Sequence, residues 1–237
     1  MEPVTSQPGK TGPKWEVDAR NEIRAQIRKF TPPLRELVAR DANEGDTRVV
    51  VTDILCDALG YDKYEDMTTE YAVRGEFADY GLRIDKQLVA FVEVKRAAQQ
   101  LNIRHLHQVE AYAMKEGVEW VILTNGRTWA AYHVETATGV AVVTHLVLEV
   151  DLLDDSTAAT KADGLFFLHK SAMKRGKIDE LWRQKAATSP EALAQVLLSD
   201  AVVDAARLEV RRRSGYNPEV AALAKTIRTE VVREGLV

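Results

Sequence analysis

Between residues 43 and 135 the apolar positions change period several times, and each change marks an element. From 43 to 59, Val50, Val51, Ile54, Leu55, Ala58 and Leu59 recur at helical spacing, with Asn43 placed to cap the start and Gly60 to stop it. A short strand follows around Thr69 to Val73, then a second from Asp79 to Ile84. Residues 88 to 95 (Leu-Val-Ala-Phe-Val-Glu-Val-Lys) are rich in β-formers and read as a mostly buried strand. The period returns to helical from about Asn102 to Lys115, where Leu106, Val109 and Ala113 share a face. Glu119 to Thr124 reads as another buried strand, and Asn125-Gly126 is a turn signal leading to a strand over Thr128 to Val134. The order is α-β-β-β-α-β, then β.

Helical patterns flank this core. Ile23, Ile27, Phe30, Leu34 and Leu37 follow helical spacing within 15 to 40, with a break expected at Thr31-Pro32-Pro33, where Thr31 can cap a second short helix. Beyond Asp151, a segment rich in Asp, Ser, Thr and Ala (Asp154 to Asp163) reads as a linker to about four helices. Ser189-Pro190 and Asn217-Pro218 mark helix starts, and Gly215 a stop. The expected organisation is a disordered tail over 1–13, a domain with N-terminal helices over 14–150, and a helical region over 151–237. The apolar stripes Leu193, Val196, Leu197 and Val220, Leu223, Ile227 need a partner, either the core or a second copy of the chain in a homodimer.

The candidate chemistry lies on the two central strands. Side chains alternate along a strand, so Glu93 and Lys95 project to one side. If Asp85-Lys86-Gln87 forms a three-residue connection, Ile84 pairs with Leu88 and Asp79 falls opposite Glu93, with Cβ atoms roughly 4.5–5.5 Å apart. A two-residue loop would shift the register by one and turn Asp79 to the wrong face. Two carboxylates so close repel, and buried charges are costly unless paired or bound to a metal. Two carboxylates and an ammonium are also the groups that metal-assisted phosphodiester hydrolysis uses.

With these residues in this order the chain resembles the PD-(D/E)xK nuclease superfamily, and more narrowly the nuclease domain at the N-terminus of type I restriction enzyme R subunits. The likeness is carried by Glu44-Gly-Asp-Thr-Arg48, Leu59-Gly60-Tyr61-Asp62, Asp79-Tyr-Gly-Leu82 and Val92-Glu-Val-Lys-Arg96. Gln108-Val-Glu-Ala-Tyr112 and Leu123-Thr-Asn-Gly-Arg127 with Trp129 complete it, over roughly residues 40 to 135. No Pro precedes Asp79, unlike the superfamily label. The resemblance implies an α/β fold with a restriction-endonuclease-like core: a mixed sheet flanked by helices.

It also implies roles. Asp79 and Glu93 would hold Mg²⁺, with Mn²⁺ as a substitute, and Glu44 would add a direct or outer contact. Lys95 would position or activate the attacking water and counter charge on the scissile phosphate. Gln108 and Tyr112, one turn apart, would line the site and touch the nucleic-acid backbone together with Arg96, Gln108 counting also among the catalytic groups. On the residues alone, Glu44 is equally a first-turn carboxylate paired with Arg48, and Gln108 with Tyr112 an ordinary helix-surface pair. The implied activity is a DNA endonuclease in restriction or defence. The alternative is a catalytically silent nucleic-acid-binding or assembly module on the same fold.

Other features narrow the picture. Gly9-Lys10-Thr11 has Val4 where a Walker A loop needs its first Gly, and Pro13 argues against the helix that motif requires. No nucleotide-driven motor is therefore expected in this sequence, and translocation would come from separate partner subunits. The five histidines lack metal-ligand spacing, and the lone Cys56 sits on the apolar side of its helix. One cysteine forms no internal disulfide, and no apolar run nears the ~20 residues of a membrane span, so a cytoplasmic, soluble protein is expected. Net charge is −4, but residues 170–237 carry 13 Lys+Arg against 9 Asp+Glu, and the rest 19 against 27. Lys174-Arg175-Gly-Lys177 and Arg211-Arg212-Arg213 are candidate phosphate-contacting patches, or solvated helix faces.

Overall fold

A computed structural model describes residues 12–73, 76–102, 104–135 and 142–236, apart from the side chains of Glu76 and Gln108. Two compact units divide the chain, Met1–Asp179 and Glu180–Val237. The first is built on a six-stranded mixed sheet in the order β1 (Met67–Val73), β2 (Glu76–Ile84), β3 (Gln87–Val94), β4 (Trp120–Thr124), β5 (Thr128–Glu135) and β6 (Val143–Asp151). Neighbours are antiparallel except β3 and β4, which run parallel and need a crossover. Helix α3 (Arg104–Glu116) supplies it. Its Leu106, Val109, Tyr112 and Ala113 bury against Phe91, Val121 and Leu123 of the sheet.

Helix α1 spans Lys14–Ala39 without a break, and Pro32 and Pro33 lie inside it, where an interruption is expected from sequence. The two prolines remove the amides that would bond the carbonyls of Arg28 and Lys29, but both residues are exposed and water can replace those bonds. Ile23, Ile27, Phe30, Leu34 and Leu37 form one buried stripe through the prolines, so packing outweighs the local cost. The helix also starts directly after Pro13, whose carbonyl accepts the amides of Glu16 and Val17. Residues 1–11, with Gly9-Lys10-Thr11 and most of the expected tail, lie outside the described residues.

Helix α2 (Glu44–Asp53) begins at Asn43, whose side chain accepts the Asp46 amide, and continues as a π-helical turn over Ile54–Ala58 before Gly60 at φ +74. The segment 154–163 is not a linker throughout. Helix α4 (Ala158–Leu165) begins inside it and packs on α1, with Arg20 donating to Asp163 at 2.7 Å and stacking over Phe166. The basic run after it is engaged locally: Lys174 pairs with Asp85 at 2.7 Å and Arg175 lies over the Trp15 ring.

The β2–β3 hairpin differs from its expected form in an instructive way. Its loop has two residues, Asp85 and Lys86, both at positive φ (51 and 70), and Ile84 pairs with Gln87. That is the loop expected to misplace Asp79. The ladder slips between Leu82 and Arg83, however, leaving Val89 as an extra residue, so that Leu82 pairs with Ala90 and Tyr80 with Val92. The bulge cancels the one-residue shift, and the same register carried one step further sets Asp79 across from Glu93.

In the second unit, the remainder of α6 (Lys177–Ala187) leads to α7 (Pro190–Leu197), capped by Ser189, α8 (Asp200–Ser214), ended by Gly215 in the left-handed region, and α9 (Val220–Thr226). Asn217-Pro218 falls two residues short of α9, whose cap is Glu219. Arg212 and Arg213 are exposed and paired with Glu209. Among the described residues, no helix is long and apolar enough to cross a membrane.

Candidate functional site

The site forms where β2, the end of β3 and the first turns of α2 meet. Strand pairing stops at Tyr80 and Val92, and beyond it the Val94 amide donates to Asp79 Oδ2 at 2.7 Å. A carboxylate thus takes an amide that points toward β2, which fixes Asp79 where the β2–β3 ladder ends. Glu93 is the next-to-last residue of β3, and the parallel ladder runs one step past the strand, where the Lys95 amide donates to the Thr124 carbonyl at 2.8 Å.

Helix α2 is pinned to this strand end by Thr47. Its buried hydroxyl donates to the Asn43 carbonyl at 3.0 Å and accepts the Ala97 amide at 3.1 Å. Residues three and four apart share a helix face, so the turn that holds Thr47 also delivers Glu44 and Arg48. The Tyr80 hydroxyl, from β2, bonds the Arg48 carbonyl at 3.0 Å and the Thr52 hydroxyl at 3.0 Å, closing the third side.

The charged groups then interlock. Arg48 Nη2 meets Asp79 Oδ1 at 2.7 Å and Glu44 at 3.6 Å, and Nη1 meets Glu70 of β1 at 3.8 Å. Lys95 Nζ donates to Glu93 Oε1 at 2.5 Å and lies 4.0 Å from Glu44 Oε2. Asp79 and Glu93 are 7 % and 5 % exposed. Glu93 Oε2 is buried and meets no hydrogen-bond partner. A buried acceptor left open in this way is costly and points to something the protein alone does not supply.

The electrostatics follow from burial. Desolvation pushes the Asp79 carboxyl above its ordinary range, against the Val94 amide and the Arg48 guanidinium, which pull it down. Burial and then the nearby Asp79 charge push Glu93 up, opposed by Lys95. For Lys95, burial works toward a lower pKa, but the Glu93 hydrogen bond and the surrounding carboxylates outweigh it and hold the ammonium charged.

The remaining expected site residues fall differently. Tyr112 is fully buried (0 %) in the cluster with Phe91 and Val109, its ring edge-on to Phe91 at 5.3–6.4 Å spacing across the Tyr71–Phe91–Tyr112 series. It packs α3 on the sheet and is not presented to a nucleic acid, because its ring faces inward where the helix-surface reading of the sequence has it facing out. Gln108 lies in α3, and its side chain is outside the described residues. Arg96 is exposed and pairs with Asp41 at 3.2 Å. His105 is held below its ordinary pKa by burial and then by the Lys95 charge, which places it in the same electrostatic neighbourhood. Thr47 and Arg48 are the residues whose part in the site sequence reasoning underrates. The helical spacing from Glu44 was the available signal.

Two carboxylates with an open buried oxygen suit a hard divalent cation, which binds oxygen and keeps several waters. Among the described residues, no three His, Cys, Asp or Glu side chains are gathered to hold a metal by themselves, so water would complete the shell. Cys56 sits apart, with its thiol 3.8 Å from the Met67 sulfur and its pKa raised by burial.

Residues 43–145 match the family model of the type I restriction enzyme R protein N terminus. The match runs from the Asn43 cap of α2 to the start of β6 and takes in Glu44, Asp79, Glu93 and Lys95. No curated protein and no solved structure shows a significant match to the chain.

Proposed function

We propose that the first unit is a divalent-metal-dependent endonuclease acting on DNA, in restriction or defence, with Mg²⁺ as its cofactor and Mn²⁺ as a substitute. The observation that carries this reading is the gathering of Asp79, Glu93 and Lys95 in one charged cluster with a buried oxygen, Glu93 Oε2, left without a partner. When bound, the metal supplies Lewis-acid polarisation of the scissile phosphate and an acidified water.

The chain's own residues divide the remaining work. Asp79 and Glu93 would hold the cation, with Glu44 close enough to Lys95 to contribute through water. Lys95 stays protonated beside Glu93, so its part is to orient the attacking water and to offset charge on the phosphate rather than to remove a proton. Arg96, on the exposed side just past the strand, is a phosphate contact. The resemblance would also assign Gln108 of α3 a contact with the nucleic-acid backbone. A homodimer through the C-terminal helices would bring two such sites to two strands; a monomer in sedimentation at high concentration would dispose of that assembly.

A silent binding or assembly module is the second reading. It is favoured by one feature: Arg48 and Lys95 already oppose Asp79 and Glu93 at 2.7 and 2.5 Å. The two readings separate when the full chain is incubated with supercoiled and linear duplex, single-stranded DNA and RNA, in Mg²⁺, Mn²⁺ or chelator. Cleavage that needs the metal and is lost in both Asp79→Ala and Lys95→Ala is expected. Cleavage surviving both substitutions would mean another site or a contaminant, and no cleavage of any substrate would leave the binding module.

A further inference from the structure

Arg48 stands in an odd position for a structural arginine. A guanidinium is a rigid fork of five N–H donors that normally grips a carboxylate through two bonds. Here only Nη2 makes a short contact, to Asp79 Oδ1. Its approaches to Glu44 and Glu70 are 3.6 and 3.8 Å, and its Nε is buried with no hydrogen-bond partner. The backbone at Arg48 is held firmly by the Thr52 and Tyr80 hydroxyls on its carbonyl, while the side chain as a whole is about a third exposed. The residue is therefore anchored at its base and loosely engaged at its tip.

The contact it does make falls on the oxygen that matters most. Of the four oxygens of Asp79 and Glu93, Asp79 Oδ2 takes the Val94 amide, Glu93 Oε1 takes Lys95, and Glu93 Oε2 is open. Asp79 Oδ1 is the remaining one, and Arg48 covers it. A cation shared by Asp79 and Glu93 would approach that oxygen, where the guanidinium already occupies a lone pair and opposes a second positive charge by repulsion.

We propose that Arg48 is a built-in counter-ion of the site: it neutralises Asp79 while no divalent cation is present and competes with the cation for Asp79 Oδ1. This rests on the reading of Asp79 and Glu93 as cation ligands. Its consequence is the reverse of what a supporting role gives. Removing a residue that merely shapes a site loosens it and weakens binding, whereas removing a competitor strengthens binding.

The test is Mn²⁺ binding to the full chain, read from the loss of the free-ion electron paramagnetic resonance signal and needing no turnover. Wild type, Arg48→Met, Arg48→Lys and Asp79→Asn are compared, with thermal melting in chelator and in Mn²⁺ alongside. Arg48→Met is expected to bind Mn²⁺ about 10-fold more tightly than wild type and to gain more in melting temperature from the ion. Arg48→Lys, which keeps a charge but not the fork, is expected to bind about 3-fold more tightly. Asp79→Asn is expected to lose binding. If Arg48→Met fails to fold, Arg48→Lys decides the sign. Unchanged or weaker Mn²⁺ binding in folded Arg48 variants, with wild type binding normally, overturns this inference alone. No binding by wild type or any variant overturns it together with the nuclease reading.

Discussion

The hydroxyl of Thr47 is the joint between α2 and the end of β3, and replacing it should cost more than its size suggests. Thr47→Val keeps the shape and exchanges the hydroxyl for a methyl. The Asn43 carbonyl keeps a partner, since the Thr47 amide still donates to it at 3.1 Å. The Ala97 amide does not, because its acceptor is gone and Ala97 is buried. Leaving one buried donor unpaired costs about 1–3 kcal/mol, so a loss of about 2 kcal/mol is expected. Thr47→Ser is the control: it retains both hydrogen bonds and gives up one buried methyl, about 1 kcal/mol. Urea denaturation followed by tryptophan fluorescence reads the order, and Trp129, fully buried in the same unit, is a suitable reporter. The expected ranking is wild type, then Ser, then Val. A Val variant as stable as the Ser variant would mean that the joint is held by packing rather than by the hydroxyl, and the account of how Glu44 and Arg48 are positioned would fail.

Two further predictions concern positions away from the site. Lys86 sits at φ +70 in a two-residue turn, where a side chain carries a left-handed penalty that glycine escapes. Lys86→Gly should raise stability by about 0.5–1 kcal/mol in the same urea assay, the relief exceeding the added entropy of the unfolded chain, and a loss would contradict the turn as described. His169 is buried, accepts the Ser171 amide at Nδ1, and is held below its ordinary pKa by desolvation. The unfolded state therefore takes up a proton that the folded state refuses, and stability should fall as pH drops through the ordinary histidine value of about 6.5. Melting temperatures between pH 7.5 and 5 should decline less for His169→Asn than for wild type; equal declines would show that His169 does not carry the effect.

The elements most legible in the sequence were those in which one period dominates. The strand over 88–95, the helix stopped by Gly60 and the Asn125-Gly126 turn all lie within a residue or so of where periodicity puts them. The turn also shows why Gly is needed there, since Gly126 is at φ +78 and a Cβ on it would meet Leu34 at 3.0 Å. What escaped depends on contacts remote in sequence. Pro32 and Pro33 look like a break until the buried stripe on either side of them is seen to pack as one face. Tyr112 looks like a surface residue until Phe91 is found beneath it. Strand β6, over Val143–Asp151, went unread, its pairing with β5 broken by a register slip at Ala131–Tyr132. The hairpin is the subtlest case. Asp79 reaches the register expected for it, but by a two-residue turn and a bulge at Val89, two offsetting features that no local pattern distinguishes from a three-residue loop.

The balance of charge in the site bears on which reading of it is the stronger. Among the described residues, Glu44, Glu70, Asp79 and Glu93 contribute four carboxylates to a network whose two cations are Arg48 and Lys95. A network of ion pairs that existed to stabilise the fold would be expected to close on itself, since breaking even on buried charge requires good geometry and full pairing. This one does neither: Arg48 grips with one arm, an oxygen of Glu93 has no partner, and both central carboxyls are pushed toward their protonated forms. Among these six described groups the deficit is two positive charges. Protons can make it up as pH falls, and a divalent cation can make it up at neutral pH while using the open oxygen. A binding module would gain nothing from holding such a cluster half-compensated, whereas a site that must accept a cation and a phosphate in turn needs the vacancy in charge that the network leaves.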